Sequence, residues 1–177
     1  MMFTAWLLHS IRLAAALGVA LLAMQAPAIT REYQAALLQL VRSSGQEIAQ
    51  RKASAQRFYG IASEEDQERF LSQLRAVEPS NAETLAAAID REHSLKSSYD
   101  QIDQTGDLLR PIVAVEDVIS DKHGPRHQIA QTVLDSFAPQ LDLSFAATVY
   151  GLVGLFLGSL IGELLLAIFL PRRRLVA

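Results

Sequence analysis

The apolar residues of this chain are concentrated at its two ends, while apolar and polar positions alternate at helical spacing through the middle. Residues 143–170 form an apolar run that contains a single charged residue, Glu163. Because a helix of about 20 apolar residues crosses the roughly 30 Å hydrocarbon layer of a bilayer, this run predicts a transmembrane helix. Asp142 and Ser144 are candidate N-terminal caps, and Pro171 is expected to end the helix.

A second, shorter apolar run lies near the N-terminus, over residues 13–24. With Arg12 in front of it, this run has the length and charge of a signal peptide. Extended through Ile29, it also reaches the lower limit for a membrane-spanning helix, and Arg12 can then extend towards the lipid headgroups. We interpret residues 1–29 as a transmembrane anchor, and a cleaved signal sequence is the alternative.

The distribution of charge predicts the orientation in the membrane. Three arginines, Arg172 to Arg174, lie in the short tail 171–177, and the positive-inside rule places such a tail in the cytoplasm. Residues 30–142 instead carry 18 Asp and Glu against 12 Lys and Arg. We therefore expect a membrane protein with both ends in the cytoplasm and an extracytoplasmic, or periplasmic, domain over residues 30–142.

The first part of that middle domain has the periodicity of one long helix. Apolar residues recur there at three- and four-residue steps, which places them on one helix face. The pattern continues directly from the first apolar run, so we expect the helix to extend out of the first span. The residues of this face are Tyr33, Leu37, Leu40, Val41, Ile48, Ala55 and Phe58.

Capping signals predict two further helices. Ser63 with Asp66 has the spacing of a capping box, and it is expected to begin a second helix that ends at Pro79. Ser80 with Glu83 has the same capping-box spacing and is expected to begin a third helix. Side chains of this kind satisfy backbone N–H groups that have no partner within the first helical turn.

The last part of the domain is divided by turn residues. Gly106 is expected to end the third helix, and Pro111 suits the first turn of a short fourth helix. The sequence DKHGPRH, residues 121–127, separates that helix from the last one. Strand-like alternation of useful length is absent from the sequence. The predicted fold is an all-α membrane protein in which two transmembrane helices flank an exported antiparallel helical hairpin or bundle.

Few residues offer catalytic or cofactor chemistry. The absence of cysteine excludes disulfides and thiol catalysis, and a net charge of −3 gives no electrostatic case for nucleic acid. His123 and His127 with Asp121 are candidate metal ligands. However, Gly124 and Pro125 interrupt the helical spacing that would direct both histidines at one ion. Without a phosphate loop, a dinucleotide motif or a nucleophile motif, we expect a protein that is not an enzyme and binds no cofactor or metal.

The C-terminal apolar run contains a repeat of small residues. Gly154, Gly158 and Gly162 follow a GxxxGxxxG spacing, and Ala147 and Gly151 extend the small face towards the start of the helix. Lipid is as apolar as leucine, so membrane helices associate mainly where small residues let their backbones approach closely. We predict that these five residues form a glycine-zipper packing face.

The sequence leaves two alternatives for the partner of this packing face. The first span offers Ala14 and Gly18 at the same spacing, which would pair the two helices within one chain. A second copy of the chain, or another envelope protein in the lipid bilayer, would instead make the contact intermolecular. The expected partners are therefore the bilayer together with the chain itself or another membrane protein.

Glu163 needs an explanation of its own, because a charged residue near the middle of a membrane costs about 2.5–3.5 kcal/mol on insertion scales. It lies about 10 Å from the end of the predicted helix at Leu170. In an antiparallel pair of spans Arg12 lies at the same end. We therefore hypothesise an ion pair of Arg12 and Glu163, within one chain or between chains. A protonated, proton-carrying Glu163 is the alternative.

Two short patterns resemble an uncharacterised family of small bacterial inner-membrane proteins, a domain-of-unknown-function family. The pattern after the first span consists of Gln25, Pro27, Ile29, Tyr33 and Leu37. The pattern that leads into the second span consists of Phe137, Pro139, Leu143, Ser144, Tyr150, Gly154 and Gly158. The resemblance implies a membrane location and two terminal hydrophobic segments, and it implies no activity and no catalytic residues.

These observations favour a structural or interaction protein of the bacterial envelope. Its exported domain would dock a partner, and its membrane helices would pair or oligomerise through the small-residue face. The alternative is a membrane sensor or transport accessory subunit, because two spans around a helical domain of this size are also the arrangement of chemoreceptor-type ligand modules. The sequence leaves the partner and any ligand open.

Overall fold

The computed structural model describes residues 2–61, 66–140 and 143–169, and all regular structure in these ranges is helical. The all-α prediction is therefore confirmed for the described residues. Ser63, Asp142, Pro171 and the arginine tail lie outside them. The seven helices are α1 (Met2–Met24), α2 (Ala26–Tyr59), α3 (Gln67–Val77), α4 (Pro79–Asp103), α5 (Arg110–Ser120), α6 (Pro125–Ser136) and α7 (Phe145–Phe169).

The chain divides into two compact units. The first consists of Met1–Arg31, Gly106–Ile112 and Leu134–Ala177, and the second of Glu32–Thr105 and Val113–Val133. Two stretches of helix are long and apolar enough to cross a membrane, each with a mean hydropathy of 1.8 over its most apolar window. They are His9–Tyr59, which includes α1 from His9 onwards and all of α2, and Phe145–Leu165 in α7.

A short break at Gln25 separates α1 from α2. Pro27 explains the break, because proline has no N–H to donate to the carbonyl group of Ala23 and its ring disfavours a continuous helix. The Gln25 side chain then accepts a hydrogen bond at 3.1 Å from the backbone N–H of Gln140. The predicted long helix beyond the first span is therefore a separate element that begins at Ala26.

The second candidate membrane helix, α7, begins at Phe145, two residues later than predicted, and Ser144 caps it. The backbone N–H of Ala147 donates to Ser144 Oγ at 3.2 Å, as expected of an N-terminal cap. The Ser144 cap is thus confirmed. Tyr150, about one turn further on, donates its hydroxyl to the carbonyl oxygen of Leu108 at 2.8 Å, which ties the segment before α5 to α7 within the first unit.

The second unit contains two buried apolar clusters. One joins the end of α2 to α3 and the first half of α4, and the other joins the start of α2 to the second half of α4 and to α5. Because the order of contacts is reversed along the two long helices, α2 and α4 run antiparallel. The clusters are Ala55, Ile61, Phe70, Leu74, Ala82, Leu85 and Ile89, and Tyr33, Leu37, Leu95, Ile102 and Ala114.

Phe58 departs from the predicted inward face of α2. Its side chain is 78% exposed, whereas Tyr33, Leu37 and Ala55 are buried as predicted. Gly60 adopts a positive φ of 65° immediately after α2, a conformation that favours glycine at the end of a helix. The chain turns there and places Ile61, rather than Phe58, over the first cluster.

The capping predictions for α3 and α4 have different outcomes. Asp66 is itself the N-terminal cap of α3, and it accepts from the backbone N–H groups of Glu68 and Arg69. The predicted capping box instead placed Asp66 inside the first helical turn, three residues after a cap at Ser63. The prediction that Ser80 and Glu83 begin α4 is wrong, because the helix already starts at Pro79. Proline is well suited to the first helical position, since its fixed φ is helical and the N–H that it lacks would have no helical partner there.

Phe70 and Phe58 provide a matched test of the first cluster. Phe70 is 1% exposed and Phe58 is 78% exposed. Phe70→Ala should lower the free energy of unfolding by about 3–5 kcal/mol, because it removes buried apolar surface and leaves a cavity. Phe58→Ala should change it by less than about 0.5 kcal/mol. Denaturant unfolding followed by circular dichroism measures both, and equal effects would contradict this assignment of the core.

Candidate functional site

The contact between α1 and α7 is built from glycine and alanine. A Cβ atom added at Gly158 would lie 2.7 Å from the Cα of Ala16, and one added at Gly154 would lie 2.9 Å from the Cα of Ala20. Real Cβ atoms do not approach other atoms so closely, so only glycine fits at these two positions. The backbones of the two helices therefore touch without intervening side chains, as in close small-residue packing of membrane helices.

The two ends of the contact show that α1 and α7 run antiparallel. A Cβ atom at Gly151 would lie 2.7 Å from the side chain of Met24, and one at Gly162 would lie 3.3 Å from the Cα of Arg12. Ala147, the remaining small residue of the predicted face, is fully buried. Four glycines spaced by three or four residues on α7 therefore meet α1 from Met24 back to Arg12.

The residues of α1 that form this contact differ from the predicted ones. Gly18 has no neighbour within 4 Å of its Cβ position, and both Ala14 and Gly18 are exposed. Ala16 and Ala20 are buried instead. The sequence contained this signal, because Arg12, Ala16 and Ala20 are four residues apart and lie on one helix face. A search limited to spacings that contain glycine misses it.

Arg12 and Glu163 lie beside the last glycine of the contact. Arg12 Nη2 is 2.8 Å from Glu163 Oε1, and the two side chains are 41% and 55% exposed. The pair thus borders the contact between the helices and is not enclosed by it. Glu163 follows Gly162 directly, which turns its side chain about 100° around the helix from the glycine face.

A buried polar network in the second unit was missed by sequence reasoning. The carboxylate of Asp117, on α5, is 3% exposed. It accepts hydrogen bonds from Tyr33 Oη at 2.7 Å, from Ser98 Oγ at 2.8 Å and from Arg126 Nη1 at 2.6 Å. Four helices, α2, α4, α5 and α6, therefore meet at one carboxylate whose burial is compensated by hydrogen bonds and an opposite charge.

The segment between α5 and α6 positions Arg126 for this network. Asp121 Oδ2 accepts from the backbone N–H of Arg126 at 3.0 Å and from its Nε at 3.3 Å. The carboxylate approaches Gly124 so closely that a Cβ atom there would overlap it. Pro125 opens α6, so Arg126 presents the first backbone N–H of that helix. Gly124, Pro125 and Asp121 together direct the guanidinium group back to Asp117.

The electrostatics of the network suit a structural role. Burial, and then the hydrogen bond to Asp117, raise the pKa of Tyr33 far above its ordinary value, so the phenol stays neutral. Burial lowers the pKa of Arg126, but its hydrogen bonds to Asp117 and Asp121 and their charges outweigh that effect and raise it. Tyr33 and Arg126 thus each keep one protonation state near neutral pH, whereas general acid–base catalysis needs a pKa close to the working pH.

The histidines considered as metal ligands are not gathered around a site. His123 is exposed. His127 Nε2 lies 3.1 Å from Gln131 Nε2, within α6. Asp121 is bonded to Arg126. Within residues 2–61, 66–140 and 143–169, there is no group of three or more His, Asp or Glu residues that could hold a metal ion.

Comparison with known proteins places almost the whole chain in one family. The model of the family described as "Protein of unknown function (DUF2937)" matches residues 7–175. Neither a curated protein nor a solved structure matches the chain. The match includes both candidate membrane helices and the polar network described above.

The glycine contact predicts opposite effects of the same substitution at two positions. Gly158→Ala places a Cβ atom against the backbone of Ala16 and should destabilise the helix pair by about 1–3 kcal/mol. Gly18→Ala enters open space and should be neutral or stabilise by up to about 1 kcal/mol, since alanine favours the helix over glycine. Thermal unfolding in detergent compares the two. A loss at Gly18 as large as at Gly158 would contradict the contact.

Tyr33 predicts a specific dependence of stability on alkaline pH. Above pH 10, the ordinary pKa of tyrosine, the phenol ionises in the unfolded chain but remains protonated in the folded one. The free energy of unfolding should therefore fall as pH rises from 10, by up to about 1.4 kcal/mol per pH unit from this group. Tyr33→Phe should reduce that slope in denaturant titrations between pH 9 and about 11.

Ser98→Ala is the matched control for Tyr33→Phe. It also removes one hydrogen bond to Asp117, but it removes no titrating group. Its stability should be lower by a similar amount at every pH, with the wild-type slope. If Tyr33→Phe keeps the wild-type slope as well, Tyr33 does not cause the alkaline loss of stability.

Proposed function

The chain belongs to the DUF2937 family, and we propose that it is a non-enzymatic protein of the bacterial inner membrane that acts as a structural or interaction module. In this proposal α1 and α7 form a helical hairpin in the membrane, and residues 30–142 form an exported helical domain that docks an envelope partner. The ends of the chain face the cytoplasm.

The observation that supports this proposal most directly is the close contact of α1 with α7. The glycine face of α7 packs against α1 of the same chain, so this face is buried without a second copy of the protein. Leucine and phenylalanine side chains on the other faces remain exposed, among them Leu17, Leu21 and Phe156. Exposed apolar surface of this kind suits contact with lipid. Self-association through the glycine face would require α1 to separate from α7.

The apolar length of the hairpin is consistent with membrane insertion. Residues 13–30 separate Arg12 from Arg31, and as helix they measure about 27 Å, close to the hydrocarbon thickness of about 30 Å. Arg12 with Glu163 would then lie near the cytoplasmic edge of the hydrocarbon layer. In this position the pair lowers the cost of inserting either charge and opposes sliding of one helix along the other.

A groove in the second unit favours the alternative, a sensor or transport accessory subunit. It has a volume of about 510 Å³ and lies between α2, α4 and α6. Its lining includes the apolar residues Leu40, Leu95 and Ile129 and one charged residue, Arg91. This volume is in the range of small-molecule sites, which combine apolar walls with a few polar groups.

Purification of the full chain in a mild detergent tests both functions. A cysteine-locked hairpin is available, because the chain has no natural cysteine and Met24 lies against Gly151. After oxidation, Met24→Cys/Gly151→Cys should form a disulfide within one chain, and wild type and this variant should both retain a stoichiometric partner protein. Native mass spectrometry measures the composition, and Gly18→Cys/Gly151→Cys, whose first position has open surroundings, should form no such bond.

Other outcomes would contradict parts of this proposal. Disulfide-linked dimers of the locked variant would show that the glycine face joins two copies. A chain that elutes without a second protein and unfolds at a higher temperature with a small ligand would favour the sensor. Loss of that ligand effect in Leu40→Trp, which fills the groove, would locate its binding site.

A further inference from the structure

The groove between α2, α4 and α6 follows from the spacing of small residues on α2. That helix contributes Ala36, Leu40 and Ser44, which are four residues apart and therefore lie on one helix face. Alanine and serine are small, so this face leaves space beside α4 and α6. All residues of the lining belong to the second unit, and the groove is thus a feature of that unit alone.

One part of the lining is apolar. It consists of Leu40, Leu95, Ile129 and Val133. Leu95 and Val133 are buried, and Ile129 is partly buried against the second apolar cluster, whereas Leu40 is 38% exposed. An apolar group in the groove would remove the remaining surface of these side chains from water, which is favourable. This part of the lining therefore suits the apolar body of a small molecule.

Arg91 gives the groove a positive charge that the described chain does not neutralise. It is the one charged side chain among the described residues of the lining. Its side chain is exposed, and it makes no hydrogen bond or ion pair with the described part of the chain. The neighbouring carboxylates of Asp90 and Glu92 lie outside the lining. The guanidinium group is thus available to a carboxylate, which it can bind through two parallel hydrogen bonds.

The other polar side chains of the lining are neutral. They include Gln39 and Ser44 on α2 and Gln128 on α6. Amide and hydroxyl groups offer hydrogen bonds without adding charge, so the charge of the described lining is that of Arg91. One positive charge matches a carboxylate better than a phosphate monoester, which carries about 1.5 to 2 negative charges near neutral pH.

We propose that this groove binds a small carboxylic acid with an apolar body. The carboxylate accepts hydrogen bonds from Arg91, and the apolar body lies against Leu95 and Ile129. A volume of about 510 Å³ accommodates a ligand of this kind. The proposal names the ligand class of the sensor alternative described above and rests on that alternative. It requires neither the membrane placement nor a partner protein.

The test is calorimetric titration of the full chain in mild detergent, with protein-free detergent as the blank. Two probes have the same apolar body, the acid 4-phenylbutyrate and its neutral amide 4-phenylbutyramide. Wild type should bind the acid at least about tenfold more tightly than the amide, as expected for hydrogen bonds between charged groups. Arg91→Gln should bind both about equally. Lys96→Gln removes a positive charge from an exposed position of α4 outside the groove and should keep the wild-type preference.

Two further variants separate binding from folding, and thermal unfolding without ligand shows that each is folded. Arg91→Lys keeps the charge and should recover part of the preference, whereas Leu40→Trp fills the groove and should bind neither probe. If wild type binds neither 4-phenylbutyrate nor octanoate at millimolar concentration, or if Arg91→Gln keeps the wild-type preference, the site is wrong. Native mass spectrometry measures the partner protein separately. A missing partner therefore contradicts only the docking function, and a missing preference for the acid contradicts only this site.

Discussion

The first unit depends on the close approach of two helix backbones. In lipid, apolar side chains gain little from contact with one another, so dispersion contacts over a short distance must supply the attraction. Glycine at positions 154 and 158 permits this approach, because added Cβ atoms would lie 2.7–2.9 Å from atoms of α1. Small residues at four-residue steps on both helices keep the distance short over several turns. A single larger side chain on the axis of contact would separate the helices.

The second unit combines buried apolar clusters with a buried polar network. Its helices meet at a buried carboxylate, Asp117, which accepts from Tyr33, Ser98 and Arg126. Apolar side chains can slide past one another at little cost. A buried carboxylate needs each of its donors in place, because removing one partner of a buried charge is costly. The network therefore acts as a constraint on the relative positions of α2, α4, α5 and α6.

The parts of the structure that local sequence determines were the predictable ones. The start of α5 near Pro111, the Ser144 cap and the glycine spacing of α7 are local signals, and the structure places helices accordingly. Asp117 and Arg126 are nine residues apart. Nothing in the local sequence distinguishes a buried ion pair at this spacing from an exposed one. Ala16 and Ala20 were overlooked for another reason: alanine is common in apolar helices, and its packing role emerges only from the opposite helix.

The position of Arg12 and Glu163 bears on whether the carboxylate carries protons. A proton-carrying group needs a neutral form that is accessible at working pH, and it usually belongs to a chain of polar groups within the membrane. The guanidinium group of Arg12, at 2.8 Å, instead gives the carboxylate a partner of opposite charge. In the membrane placement proposed above, both groups lie at the edge of an apolar layer about 27 Å thick and can also reach towards water. An ion pair that fixes the register of two helices is therefore the simpler explanation of a carboxylate beside a glycine face.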